Sequence, residues 1–163
     1  MGYWLVKSDP DTYGWSDLVR DGKTSWDGVR NYTARNHIRA MKPGDLVLFY
    51  HSGEEKAVVG AMKILSEAYP DKTAEGEDWS AVDAAPAWTL KTPVTLPRIK
   101  SEPSLKNIPL VRLGRLSVMP LEKADFDFIV SLGGGTKNLV TNIIEAKNAA
   151  MSNRVTFCKR THF

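Results

Sequence analysis

Between Ser25 and Asn36 the chain reads Ser25-Trp26-Asp27-Gly28-Val29-Arg30-Asn31-Tyr32-Thr33-Ala34-Arg35-Asn36. These residue types at this spacing could hold a planar, polar ring. Trp26 and Tyr32 offer flat apolar surfaces. Asp27 and Asn31 carry hydrogen-bonding groups suited to a base edge, and Arg30 can stack or pair with phosphate. Gly28 lets the backbone turn tightly between them. A nucleobase is held by such a set: an aromatic platform, a few directional polar groups and a cation. The same residues also fit a buried tryptophan followed by an ordinary capped helix.

Other groups carry less. Tyr50-His51-Ser52 ends an apolar strand, where alternation points Tyr50 and Ser52 together and His51 the opposite way. That separation argues against a His51–Ser52 nucleophile–base pair and for a histidine bonded to backbone. Trp79 closes an acidic loop and could form a further aromatic wall, whereas Trp4, Trp15 and Trp88 suit the core. Arg115 and Ser117 are candidates for phosphate or backbone contact, and a salt bridge fits Arg115 equally well. Gly133-Gly134-Gly135-Thr136-Lys137 lacks the residue order of a phosphate loop. No carboxylate pair has a spacing that singles it out for acid–base work.

The elements that must position these groups can be read in outline. Tyr3 to Lys7 is aromatic and β-branched enough for a first strand, ended by Asp9-Pro10-Asp11. Trp15 to Arg20 predicts a short helix. Asn31 is the N-cap candidate of the next helix, whose Ala34, Ile38 and Met41 fall at i, i+4 and i+7 as a core stripe. Arg35 and Arg39 then face solvent or a ligand. Lys42-Pro43-Gly44-Asp45 reads as a turn, Leu46 to His51 as a strand covered on both faces, and Ala57 to Glu67 as its antiparallel return. Residues 68–78 form an acidic loop, with extended segments around 79–83 and 88–96. Pro86, Pro93 and Pro97 predict edge strands or irregular connections there. Leu105, Ile108, Leu110 and Val111 supply buried anchors. Leu121, Asp125, Phe128, Ile129 and Leu132 share one face of a helix over 121–132. Short strands interleaved with helices predict an α+β architecture, and the absence of βαβ alternation argues against a parallel sheet.

With 163 residues, 42% apolar and 25% charged, the chain has the composition of one globular domain with a sizeable core. No apolar run reaches bilayer length and no secretory signal opens the chain, so no membrane partner is expected and the location is cytoplasmic or nucleoid-associated. A single cysteine, Cys158, excludes an internal disulfide, and with three histidines no metal or other cofactor is implied. The net charge of +3 misleads if taken whole. Lys137, Lys147, Arg154, Lys159 and Arg160 against Glu145 give residues 133–163 a charge of +4, leaving the rest at −1. Basic side chains gather in residues 91–115 and after Trp26, and acidic ones in 67–83. Either the domain is polarised, with one side able to follow a phosphate backbone, or these form a face of mixed charge.

Tyr3-Trp4-Leu5-Val6-Lys7-Ser8-Asp9-Pro10 resembles the opening strand of EVE-domain proteins. The Trp26–Asn36 segment is similar to that family's central motif, and Met41-Lys42-Pro43-Gly44-Asp45, Phe49-Tyr50-His51-Ser52 and Arg115-Leu116-Ser117-Val118-Met119-Pro120 follow in the family's order. The match spans residues 2–132. It implies a PUA-like, mixed and mainly antiparallel β-barrel flanked by short helices, related in fold to YTH readers, with residues 1–132 as the domain and 133–163 as a C-terminal extension. It also implies binding of modified bases in DNA or RNA. The resemblance aligns Trp26 with an aromatic cage position and Ser8 with a pocket hydroxyl.

The reading that follows is non-catalytic binding of a modified base, flipped or unpaired. Trp26 stacks the base, with Tyr32 or Trp79 as second wall. Ser8, Asp27 and Asn31 meet its edge, Arg30, Tyr50 and Ser52 join the ligand-binding set, and Arg35, Arg39 and Arg115 attract phosphate. The alternatives are a base or nucleoside amidohydrolase like some ASCH-type relatives, for which Lys7 is the candidate lysine without an identifiable acid partner, and a protein-interaction module using the tail or the proline-rich edge. Oligomeric state is not legible.

Overall fold

The computed structural model describes residues 1–75 and 78–134. Nearly all of the expected 133–163 extension lies outside them.

The core is a curled, mixed sheet with short helices on its faces. Strand β1 (Tyr3–Ser8) leads into helices α1 (Pro10–Tyr13) and α2 (Trp15–Asp21), strand β2 (Thr24–Trp26) and helix α3 (Tyr32–Ala40). The hairpin β3 (Leu46–His51) and β4 (Ala57–Ile64) follows, then β5 (Tyr69–Pro70) and the long β6 (Ser80–Thr95). Helix α4 (Leu96–Ser101), a 3-10 turn at Pro103–Leu105, helix α5 (Pro109–Arg112), strand β7 (Val118–Leu121) and helix α6 (Lys123–Leu132) complete it. The strand order is β2-β6-β4-β3-β1-β7, with β5 pairing β6 off this path. All pairs are antiparallel except β1–β3, where Tyr3 opposes Leu46 and Ser8 opposes His51. The sheet is therefore mixed and mainly antiparallel, as the resemblance implies, with one parallel pair. The connection from Asp9 to Asp45 is long enough to carry the chain back in the same direction.

Three local expectations change. Asp9 does end β1, but its side chain accepts from the Asp11 N–H and caps the short helix α1. The two extended segments after the acidic loop are one strand, β6. Its pairing with β4 slips between Val58 and Gly60 and again between Ala61 and Met62, and its outer side is paired only at residues 80–84. Pro86 and Pro93 are tolerated because no ladder partner lies on that side. In α6 the buried residues are Phe126, Ile129 and Val130, while Asp125, Phe128 and Leu132 are half-buried. Leu121 belongs to β7, so a stripe counted from it has the wrong phase.

The α3 reading holds. Asn31 accepts from the Ala34 N–H at 2.9 Å, and Ala34, Ile38 and Met41 are buried. Packing around the barrel interior is set by Trp15. Its indole lies against Gly60, where any Cβ would clash with the ring carbons, and its Nε1 donates to Thr89 at 2.9 Å. Its backbone N–H donates to His51 Nε2 at 3.0 Å. His51 Nδ1 therefore carries the ring proton and gives it to Glu55 at 2.8 Å, which makes His51 the structural histidine expected. Trp4 and Trp88 are buried as well.

Candidate functional site

The end of β1, the α1 turn and the Trp26–Arg30 loop enclose an open cavity of about 680 Å³, within the usual range for small-ligand sites. Trp26 forms one side. Its half-buried ring meets the buried Phe49 edge-on at 5.5 Å and 84°, so the indole is braced from below by the core. In register Val6 opposes Phe49 and Ser8 opposes His51, which puts Ser8 on the Phe49 face of the sheet. Ser8 Oγ donates to the Tyr13 carbonyl at 2.5 Å. Asp9, Thr12, Tyr13, Asp27, Gly28, Val29, Arg30, Lys7 and Ser117 complete most of the lining.

The loop after Trp26 is held from outside the cavity by Asp71. This carboxylate is fully buried and accepts from the Gly28 N–H at 2.8 Å, Arg30 Nη1 at 2.9 Å, the Thr73 N–H at 2.8 Å and Thr73 Oγ1 at 2.6 Å. Burial alone would raise its carboxyl, but the bonds from Thr73, Gly28 and Arg30 outweigh that and hold it far below the usual carboxylate range. Gly28 adopts φ +79°, which the turn toward Asp71 requires and which a side chain would strain. Asp27, one residue earlier, is exposed, and burial together with the Asp71 charge pushes its carboxyl up. Burial lowers the ammonium of Lys7, which donates to the Gly114 carbonyl at 2.6 Å and lies over the Tyr50 ring.

The structure thus brings Ser8, Trp26, Asp27 and Arg30 to one cavity. It does not bring the others there. Tyr32 and Trp79 stack on each other at 5.0 Å and 15° with Arg35 beside both rings, and neither lines the Trp26 cavity. They form a second aromatic cluster, not the cavity's second wall. Asn31 spends its side-chain oxygen on the helix cap and borders a separate shallow depression shared with Arg115. Tyr50 is buried beneath Lys7, and Ser52, whose N–H donates to the Ser8 carbonyl, also lies outside the cavity.

The basic residues after Trp26 find protein partners instead of forming an open cationic face. Arg30 pairs with Asp71, Arg39 with Asp78 at 2.7 Å and Lys42 with Glu67 at 3.4 Å, while Arg35 donates to the Asp78 carbonyl. The basic residues after Trp26 and the acidic stretch 67–83 are thus each other's counterparts. Arg115 is exposed and has no ion pair among the described residues. Sequence reasoning missed Asp71, which fixes the cavity wall from outside, and the lining residues Asp9, Thr12 and Tyr13. The only local signal for Asp71 is the Asp71-Lys72-Thr73 turn, an Asp bonded to the backbone two residues on.

Comparison with known proteins adds an independent line. Residues 2–132 match the family described as EVE domain. Human thymocyte nuclear protein 1 is 38% identical over 164 residues, covering 80% of this chain and 73% of that protein. A crystal structure of a protein from Agrobacterium tumefaciens superposes with a TM-score of 0.81 at 39% identity, covering 84% of this chain and 96% of that one. The crystal structure of the human THYN1 protein in complex with 5-methylcytosine containing DNA superposes with a TM-score of 0.75 at 37% identity, covering 83% and 99% of the two chains.

Proposed function

The chain belongs to the EVE domain family, with the PUA-like fold, and from that premise we propose that the Trp26 cavity binds a modified cytosine in DNA, without turnover. The observation that carries this reading is the half-buried indole of Trp26, braced on Phe49 and walling a cavity whose polar groups include Ser8 and Asp27. A base carried in a duplex must leave the stack to reach such a cavity, which favours single-stranded or locally opened substrate. Stacking on the indole supplies affinity that is blind to base identity, on the order of 1–3 kcal/mol. Shape around a methyl adds about 0.8 kcal/mol per buried carbon. Discrimination between rings then falls to the edge groups. Phosphate attraction falls to cations free of internal ion pairs, of which Arg115 is the nearest in sequence to the cavity residue Ser117. The relation to a protein crystallised with 5-methylcytosine DNA supports a DNA ligand and a cytosine ring.

The test is titration of the protein with short DNA and RNA single strands that differ only in carrying 5-methylcytosine or cytosine at one position. The expected outcome is a preference for the methylated DNA strand of a few-fold to about tenfold. Equal affinity for both DNA strands would remove the modified-base reading, and stronger binding of the RNA pair would reassign the ligand to RNA.

A further inference from the structure

A protein that prefers 5-methylcytosine faces one competitor that stacking and methyl packing cannot reject. Thymine carries the same methyl group on a ring of the same size. The two bases differ at the edge: cytosine offers an amino donor where thymine offers a keto acceptor. The side chains around the cavity are unequal in this respect.

Ser8 has one hydroxyl proton, and it is directed to the Tyr13 carbonyl at 2.5 Å, so its oxygen is left as an acceptor. Asp27 presents a carboxylate with no side-chain partner among the described residues and, when ionised, only accepts. Asp9 adds a second carboxylate, of which one oxygen is used by the Asp11 N–H. The two cations on the lining are drawn onto the protein instead. Lys7 donates to the Gly114 carbonyl, and Arg30 places its terminal nitrogens on Asp71, the Val29 carbonyl and Thr73.

We infer that this cavity is an acceptor-rich site that selects amino-bearing pyrimidines and rejects thymine and uracil, with Ser8 and Asp27 as the specificity-determining residues. The inference rests on the modified-cytosine reading and gives it an edge rule. An exocyclic amino group entering between the Ser8 oxygen and the Asp27 carboxylate finds acceptors on its path. A keto oxygen in that place meets lone pairs, and at least one acceptor that the bound base shields from water is left without a proton. The raised carboxyl of Asp27 fits the same picture, since a carboxylate partly stripped of water beside the Asp71 charge gains from the further donor that an incoming amino group supplies. Asp71 is not part of the lining and is excluded from this role, because its oxygens are already occupied.

The experiment is competition among four short DNA single strands identical except for 5-methylcytosine, cytosine, thymine or uracil at one central position. Wild-type protein, Asp27→Asn, Ser8→Ala and Trp26→Ala are compared, with a melting curve for each. The expected result is that the thymine strand binds the wild type at least tenfold more weakly than the 5-methylcytosine strand. In Asp27→Asn the ratio should narrow to about threefold or less, because the amide can turn its NH2 to a keto oxygen. If thymine binds the wild type as tightly as 5-methylcytosine, and Trp26→Ala weakens both, the acceptor rule is wrong while the cavity remains the base site. The rule also fails if the wild type discriminates but neither Asp27→Asn nor Ser8→Ala, both folded, alters the ratio. If no strand binds, the base-binding reading and this inference fall together.

Discussion

Asp27 and Asp71 lie on the same loop system, linked through Gly28 and Arg30, and the fold treats them in opposite ways. Asp71 is buried, receives four hydrogen bonds and holds its carboxyl far down. Asp27 is exposed at the cavity rim and is pushed up by burial and by the Asp71 charge itself. The difference separates two uses of one residue type. Asp71 has its bonding capacity filled by the protein and serves to fix the wall. Asp27 has capacity left over, at some expense to the fold, and is available to a ligand.

The largest effect should come from emptying the filled site. Asp71→Asn keeps the volume but replaces an acceptor-only group by one that must turn a donor toward Gly28, Arg30 or Thr73. A loss of about 2–3 kcal/mol in unfolding free energy by urea titration is the expected outcome at neutral pH. The sign of the pH dependence follows from the depressed carboxyl. Its stabilisation is complete above the unfolded value of about 4 and is lost as the pH falls below that toward the folded value, so wild type and Asp71→Asn should converge in acid. A smaller loss, about 1 kcal/mol, is expected for Thr73→Val, which removes one donor to Asp71 and one acceptor of Arg30. The smallest effect should have the opposite sign. Asp27 ionises less readily in the folded protein, so its contribution favours the fold at low pH and is lost as the pH rises through the folded value. Asp27→Asn should therefore raise the melting temperature slightly at neutral pH and leave it unchanged in acid. A melting temperature lowered by Asp27→Asn would erase the contrast between the two residues.

The parts of this arrangement that depend on local pattern were legible in the sequence. The Asn31 cap, the Ala34–Ile38–Met41 stripe, the β3–β4 hairpin and the backbone-bonded His51 each rest on spacings of a few residues. Trp26, marked by its polar, glycine-containing segment, and Ser8, marked by the family resemblance, both line one cavity. What could not be read is who meets whom across long separations. Asp71 reaches Gly28 and Arg30 over more than forty positions, and composition marks it only as one acid in an acidic stretch. The same blindness turned Arg30, Arg35 and Arg39 into phosphate candidates, because charge sign says nothing about an internal partner. Tyr32 and Trp79 were drawn to the Trp26 cavity by residue type, yet they stack with each other as a separate cluster. The α6 face was missed for a local reason: β7 takes Leu121 out of the helix and shifts its phase.

The claim on which the rest depends is that the Trp26 indole is a ligand surface and not a fold determinant. Its direct test is a paired measurement on Trp26→Ala: affinity for a 5-methylcytosine single strand and unfolding free energy from the same preparation. The expected result is an affinity loss of roughly 1–3 kcal/mol, about five-fold to 150-fold, with a smaller change in stability. Unchanged affinity together with a stability loss of about 3–5 kcal/mol, the scale of a deleted core tryptophan, would contradict it.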